Sequence, residues 1–192
     1  MSRPAVFLDR DGTINEEMGY INHVSRLKLL PGVSDAIRLL NQAGVPAVVV
    51  TNQSGAARGY FPPELVTEVH RRLQTELAQD GAYLAGLYTC LHGPEDNCPC
   101  RKPKPALILQ AARELDLDLA RSYLVGDRYR DVETAANAGV KGILVLTGYG
   151  RGEYQHLRGL SPAQPVYVAE DLADAAAWIL ADLEKASPRQ RL

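Results

Sequence analysis

Six short apolar runs, each closed by a turn or polar residue, punctuate this chain: AVFL (5–8), PAVVVT (46–51), LAGLYTC (84–90), SYLVG (122–126), GILVLT (142–147) and VYV (166–168). Four of them are almost continuously apolar and rich in Val, Leu and Ile, the pattern of parallel strands covered on both faces. Segments with a 3.6-residue period lie between them. PGVSDAIRLLNQAG (31–44) begins at Pro31 and stops at Gly44, and residues 62–81, 105–115, 131–139 and 172–186 follow the same period. Repeated strand–helix–strand units predict an α/β fold built on a parallel sheet.

At 192 residues the chain suits a single domain, 1–192, long enough to bury a sizeable core. Its last residues, SPRQRL, are expected to fray. The formal net charge of -2 exerts no global pull toward nucleic acid or an anionic membrane. No apolar run approaches the roughly 20 residues of a membrane helix, and MSRPAVFLDRD lacks the apolar core of a signal peptide. The three cysteines, Cys90, Cys98 and Cys100, are odd in number and clustered. That argues against a secreted disulfide framework and predicts a cytoplasmic protein.

In parallel sheets of this kind the ligand site lies at the carboxyl ends of the strands. Asp9 and Asp11 follow the first run; Thr51, Asn52, Gln53 and Ser54 close the second. The third leads through Cys90 and His92 to CRKPKP, and the fourth to Asp127 and Asp131. Two carboxylates two residues apart repel each other unless a cation or proton resolves the conflict. Strand alternation lets Asp9 and Asp11 face one point, with Asp127 joining them, and such hard oxygen donors suit Mg²⁺. One carboxylate can then attack phosphorus while the other moves a proton. Thr51 and Asn52 are placed to hold phosphoryl oxygens, and Lys102 to offset developing charge. Arg10 points the other way by alternation and reads as structural. His23, His70 and His156 read as surface or helix-face residues without chemistry.

The loop CLHGPEDNCPC spaces Cys90, His92, Cys98 and Cys100 as a closed set of three thiolates and one imidazole, the signature of structural Zn²⁺. The plainer reading is buried free cysteines and an exposed histidine, but Pro94, Pro99 and the intervening charges are poor core material.

FLDRDGTIN, VVVTNQSG, CRKPKP and YLVGDRYRD together resemble the four ordered motifs of haloacid dehalogenase superfamily phosphatases, over about residues 5–147. DRDGTIN, TNQSG and the Cys/His loop before RKP are similar to the branch of D,D-heptose 1,7-bisphosphate phosphatases and histidinol phosphatases. The resemblance implies a Rossmann-like three-layer fold, with Asp9 as nucleophile forming an aspartyl-phosphate. Asp11 is implied as general acid and base that touches Mg²⁺ through its backbone carbonyl. Thr51 and Lys102 then hold the phosphoryl group, Asp127 completes the metal site, and Asp131 supports it from behind.

The segments between the motifs are too short for a separate cap domain, so an open site and a monomer are expected. Residues 15–23, including Glu17, Met18, Gly19 and Tyr20, should shape its rim with the zinc loop. The leading reading is Mg²⁺-dependent removal of the 7-phosphate from a heptose bisphosphate, a small phosphorylated sugar. Arg101 and Arg128 are the cations for the phosphate that stays. Histidinol phosphate, with a cationic amine that would prefer carboxylates on the rim, is the rival substrate, and Glu16 and Glu17 keep that alternative open. A phospho-accepting receiver domain would place its acceptor Asp after the third strand, where this chain has none. A zinc-binding interaction module would leave Asp9, Asp11 and Asp127 unexplained.

Overall fold

The computed structural model describes residues 2–186; the expected fraying of 187–192 falls outside the described residues. The strands are β1 (Val6–Leu8), β2 (Ala47–Asn52), β3 (Gly86–Cys90), β4 (Tyr123–Gly126), β5 (Lys141–Val145) and β6 (Tyr167–Ala169). All pair in parallel, in the order β3-β2-β1-β4-β5-β6. The helices are α1 (Val33–Gln42), α2 (Pro63–Gln79), α3 (Ala106–Leu115), α4 (Tyr129–Ala138), α5 (Gly150–Leu157) and α6 (Leu172–Ala186). The boundaries fall within about two residues of those read from the sequence.

Alternation distributes the central strands between two helical layers. Val6 and Leu8 of β1, Val49 of β2 and Val125 of β4 pack with Ile37 of α1, Leu73 of α2 and Ile179 of α6. Phe7, Val48, Val50 and Leu124 pack on the opposite face against Ile108 of α3 and Ala135 of α4. The result is the Rossmann-like three-layer sandwich that the motif resemblance implied. Its central strands are fully buried, which explains their unbroken apolar runs.

One helix is new relative to the sequence reading. α5 has the sequence GRGEYQHL, whose two glycines and aromatic ring give little helical propensity. Packing supplies what propensity lacks: Tyr154 of α5 lies against the cluster of Tyr129, Val132 and Leu144.

The chain order reverses beside β1, between its neighbours β2 and β4. That switch point opens a crevice at the carboxyl ends of the strands. Among the described residues, no helix is long and apolar enough to cross a membrane.

Candidate active site

Asp9 leaves the end of β1 with its backbone N–H still on the sheet, donating to the Val125 carbonyl at 2.9 Å. Its Oδ1 accepts the Arg10 backbone N–H at 2.7 Å and lies 2.9 Å from Lys102 Nζ. The same ammonium donates to Asp131 Oδ1 at 2.6 Å. Lys102 is 4% exposed, and two carboxylates raise its pKa above the ordinary lysine value despite the opposing pull of burial. Its backbone N–H donates to Asn52 Oδ1 at 3.1 Å, so the end of β2 locates the lysine loop.

Asp9, Asp127 and Asp131 form the carboxylate cluster, with one oxygen from each within 4.8 Å of the others. Burial, reinforced by Asp9 and Asp131, pushes the Asp127 carboxyl up to about 8. Burial also lifts Asp9, to about 6, with Lys102 opposing and Asp131 adding to the rise. Three carboxylates face one ammonium here. The surplus negative charge and the all-oxygen donor set fit a hard divalent cation.

The Asp11 side chain departs from the alternation read in the sequence and is not in this cluster. Regular strand ends at Leu8 and the chain then turns: Asp11 bridges to Asn15, and Gly12 has φ +76°. The Asp11 carboxylate instead accepts from Arg10 Nη2 at 2.7 and 2.9 Å and Arg10 Nε at 3.1 Å. Asn15 Nδ2 and Gln53 Nε2 add donors at 2.8 Å each. Burial alone would raise the Asp11 pKa, but Arg10 and these amides outweigh it and hold the carboxyl below its ordinary value.

Gly12 has no side chain where the Asp127 carboxylate needs room. A Cβ there would overlap the Asp127 carboxylate, and one on Gly148 would meet both that carboxylate and, at 2.6 Å, Gly12 Cα. The two glycines clear the space that Asp127 occupies. Asp127 Oδ2 then accepts the Tyr149 N–H at 2.9 Å, and Thr147 Oγ1 donates to the Gly12 carbonyl at 2.6 Å.

Thr51, Asn52, Gln53, Ser54 and Lys102 line one open cavity with Asp9, Asp11 and Asp127, and Glu17, Gly19, Tyr20, Arg101 and Arg128 border it. Met18, the other rim residue named from the sequence, does not line it. Asp131, Arg130 and Tyr149 do, the last two unanticipated. Arg130 and Tyr149 reach the cavity through tertiary packing, and no local motif marks them. Tyr149 carries the Arg128 guanidinium 3.9 Å above its ring centroid. His70 is buried on α2, in register with Val66, Val69 and Leu73, a helical spacing visible in the sequence.

Beside the cavity, Cys90 Sγ lies 3.5 Å from Cys98 Sγ and 2.7 Å from Cys100 Sγ, and His92 Nδ1 lies 3.2 Å from Cys100 Sγ. One ligand atom from each of the four lies within 4.8 Å of the others. Three thiols and one imidazole gathered in this way are the donor set of a closed tetrahedral zinc site, and they fit a metal of that kind. Lys104 Nζ ties the loop down, donating to the Cys98 carbonyl and to Asn97 Oδ1 at 2.8 Å each.

A family model described as "HAD-hyrolase-like" matches residues 99–175. The D-glycero-D-manno-heptose-1,7-bisphosphate 7-phosphatase of Thermosynechococcus vestitus is 46% identical, over 95% of this chain and 98% of its own. The D-glycero-beta-D-manno-heptose-1,7-bisphosphate 7-phosphatase of Yersinia pestis is 42% identical, over 96% and 95%. The crystal structure of D,D-heptose 1,7-bisphosphate phosphatase from B. bronchiseptica, complexed with magnesium and phosphate, matches with a TM-score of 0.85. It is 38% identical and covers 93% of this chain and 99% of that one. Motif order, sheet topology and near full-length identity converge: the chain belongs to the haloacid dehalogenase superfamily of hydrolases, in the branch of the heptose bisphosphate phosphatases.

Proposed function

We propose that this chain removes the 7-phosphate of D-glycero-D-manno-heptose 1,7-bisphosphate through an aspartyl-phosphate on Asp9. The observation that carries this reading is the Asp9–Lys102–Asp131 bridge beside Asp127. Its support in substrate choice is the name shared by relatives that match almost the whole chain.

Both donors to Asp9 sit on Oδ1, which leaves Oδ2 to the substrate. Oδ2 forms the bond to phosphorus as the bond to the sugar C7 oxygen breaks, and Asp11 gives that oxygen a proton. Water then attacks the phosphorus, Asp11 takes its proton, and Asp9 is released with inorganic phosphate. The Arg10 clamp suits Asp11 to the second half. An arriving phosphate brings negative charge that raises the proton affinity of Asp11 for the first. Thr51, Asn52 and Lys102 orient the phosphoryl oxygens and offset their charge.

Asp9 and Asp127, with the Asp11 backbone carbonyl, are the residues that would hold Mg²⁺, with Asp131 held behind them by Lys102. Bound there, Mg²⁺ would supply positive charge to offset the phosphoryl oxygens and the carboxylate surplus. Zn²⁺ on Cys90, His92, Cys98 and Cys100 would order the rim loop. We read the chain as one domain, cytoplasmic and monomeric.

Arg101, Arg128 and Arg130 at the cavity offer guanidinium groups to the phosphate that remains. The Glu17 carboxylate, the counter-argument for a cationic substrate, accepts the Gly19 N–H at 2.5 Å. A turnover panel with Mg²⁺ tests the proposal. The heptose bisphosphate should exceed histidinol phosphate and simple sugar phosphates in kcat/KM; preference for histidinol phosphate would overturn it.

A further inference from the structure

The Arg10 guanidinium is 1% exposed and uses two of its nitrogens, Nε and Nη2, on Asp11. Its third nitrogen, Nη1, lies on the far side of that fork. There it meets His70 Nε2 of α2 at 3.1 Å. A guanidinium has no acceptor, so this contact needs a lone pair on Nε2, and His70 is neutral with its proton on Nδ1. Burial and the neighbouring Arg10 charge both act the same way, lowering the His70 pKa to about 3.

The turn that follows Leu8 sends the two side chains apart. Arg10 leaves it on the side where Val6 and Leu8 pack with α1, α2 and α6, and reaches His70 of α2. Asp9 faces Lys102, which also holds Asp131. Arg10 thus emerges among the core residues of α2, where a free Nη1 would be a buried unpaired donor. His70 is the acceptor that α2 supplies. It sits between Val69 and Leu73 in sequence and on the same packed face, so its ring is fixed by the core.

We infer that His70 is a positioning residue for the proton-transfer step. By fixing the plane of Arg10 it fixes the direction of the Asp11 carboxylate and keeps the guanidinium off Asp9. The chain of contact runs from α2 through His70 and Arg10 to Asp11, with Gln53 gripping the same carboxylate and lying 3.1 Å from Thr51 Oγ1. This inference rests on the reading of Asp11 as general acid and base.

Steady-state kinetics on the Mg²⁺-supplemented enzyme test it with three variants at position 70. His70→Leu fills the space without an acceptor. His70→Gln can place an acceptor where Nε2 lies, and His70→Asn reaches only the Nδ1 position. Misplacing a proton donor by a fraction of an ångström to an ångström costs up to roughly a hundredfold. His70→Leu and His70→Asn should therefore lose about 10- to 100-fold in kcat with KM nearly unchanged, and His70→Gln should recover most of it. Thermal unfolding of each variant separates this from loss of fold, and Gln against Asn decides the matter if Leu does not fold. Wild-type kcat in His70→Asn, a loss carried by KM, or failure of Gln to rescue would overturn the positioning role. Asp11→Asn is run beside them. If it is inactive while His70→Asn keeps wild-type kcat, the proton-transfer reading of Asp11 stands and the His70 inference falls; if Asp11→Asn retains turnover, both fall.

Discussion

Lys102 joins Asp9 to Asp131: one ammonium, 4% exposed, lies 2.9 Å from the first carboxylate and 2.6 Å from the second. The lysine follows the cysteine loop, whereas its partners come from the end of β1 and the first turn of α4. Removing it would leave three clustered carboxylates with no cation among them. Lys102→Met should lose at least about a hundredfold in kcat, on the scale of deleting a group that stabilises transition-state charge. It should also unfold at lower temperature without Mg²⁺ than with it, by a larger margin than wild type. Turnover within tenfold of wild type would remove Lys102 from the machinery.

Asp9→Asn should abolish turnover, because an amide is a far weaker nucleophile. Residual activity above about a hundredth would exceed what neighbouring acid–base help supplies and would mean the nucleophile is misassigned. Rapid acid quenching should trap phosphorylated protein from wild type and none from Asp9→Asn.

Gly148→Ala tests the clearance around Asp127. The added methyl meets the Asp127 carboxylate and Gly12 Cα, on a residue with φ +52°. The Mg²⁺ concentration for half-maximal activity should rise several-fold, and stability should fall by about 1 kcal/mol for the left-handed backbone. An unchanged Mg²⁺ requirement would show that the glycine pair does not set the carboxylate.

Freshly purified protein should carry about one zinc per chain by metal analysis. Cys98→Ser should lower the unfolding temperature and the zinc content together while shifting kcat less than Lys102→Met does. Protein free of zinc after chelator-free purification would remove the metal from the loop.

Arg101 borders the cavity and donates to the His92 carbonyl at 3.1 Å, which ties its stem to the cysteine loop. Its planar fork suits the phosphate that does not react. Arg101→Ala should lose roughly 1.5–3 kcal/mol, the worth of a charge-assisted hydrogen bond, on the bisphosphate. A monophosphate lacking the C1 phosphate should be hydrolysed almost as well by the variant as by wild type. Equal losses on both would place Arg101 on the transferred group.

The sequence by itself determined the strands, because residues buried on both faces must be apolar without interruption, as Val48, Val49 and Val50 are. It also placed Asp9, Thr51 and Asp127 at the sheet's carboxyl edge, since each stands at or just after the end of such a run. The Cys90, His92, Cys98 and Cys100 spacing was equally local. Tertiary structure alone decided which carboxylates share a point. Period-2 alternation lapses once regular strand ends at Leu8, so Asp11 turned to Arg10 and Asp131 took the place beside Asp9 and Asp127. Tyr149, Arg130 and His70 depend on how α5, α4 and α2 pack against the sheet. No residue pattern near them encodes that distance, because packing direction is set by partners far away in sequence.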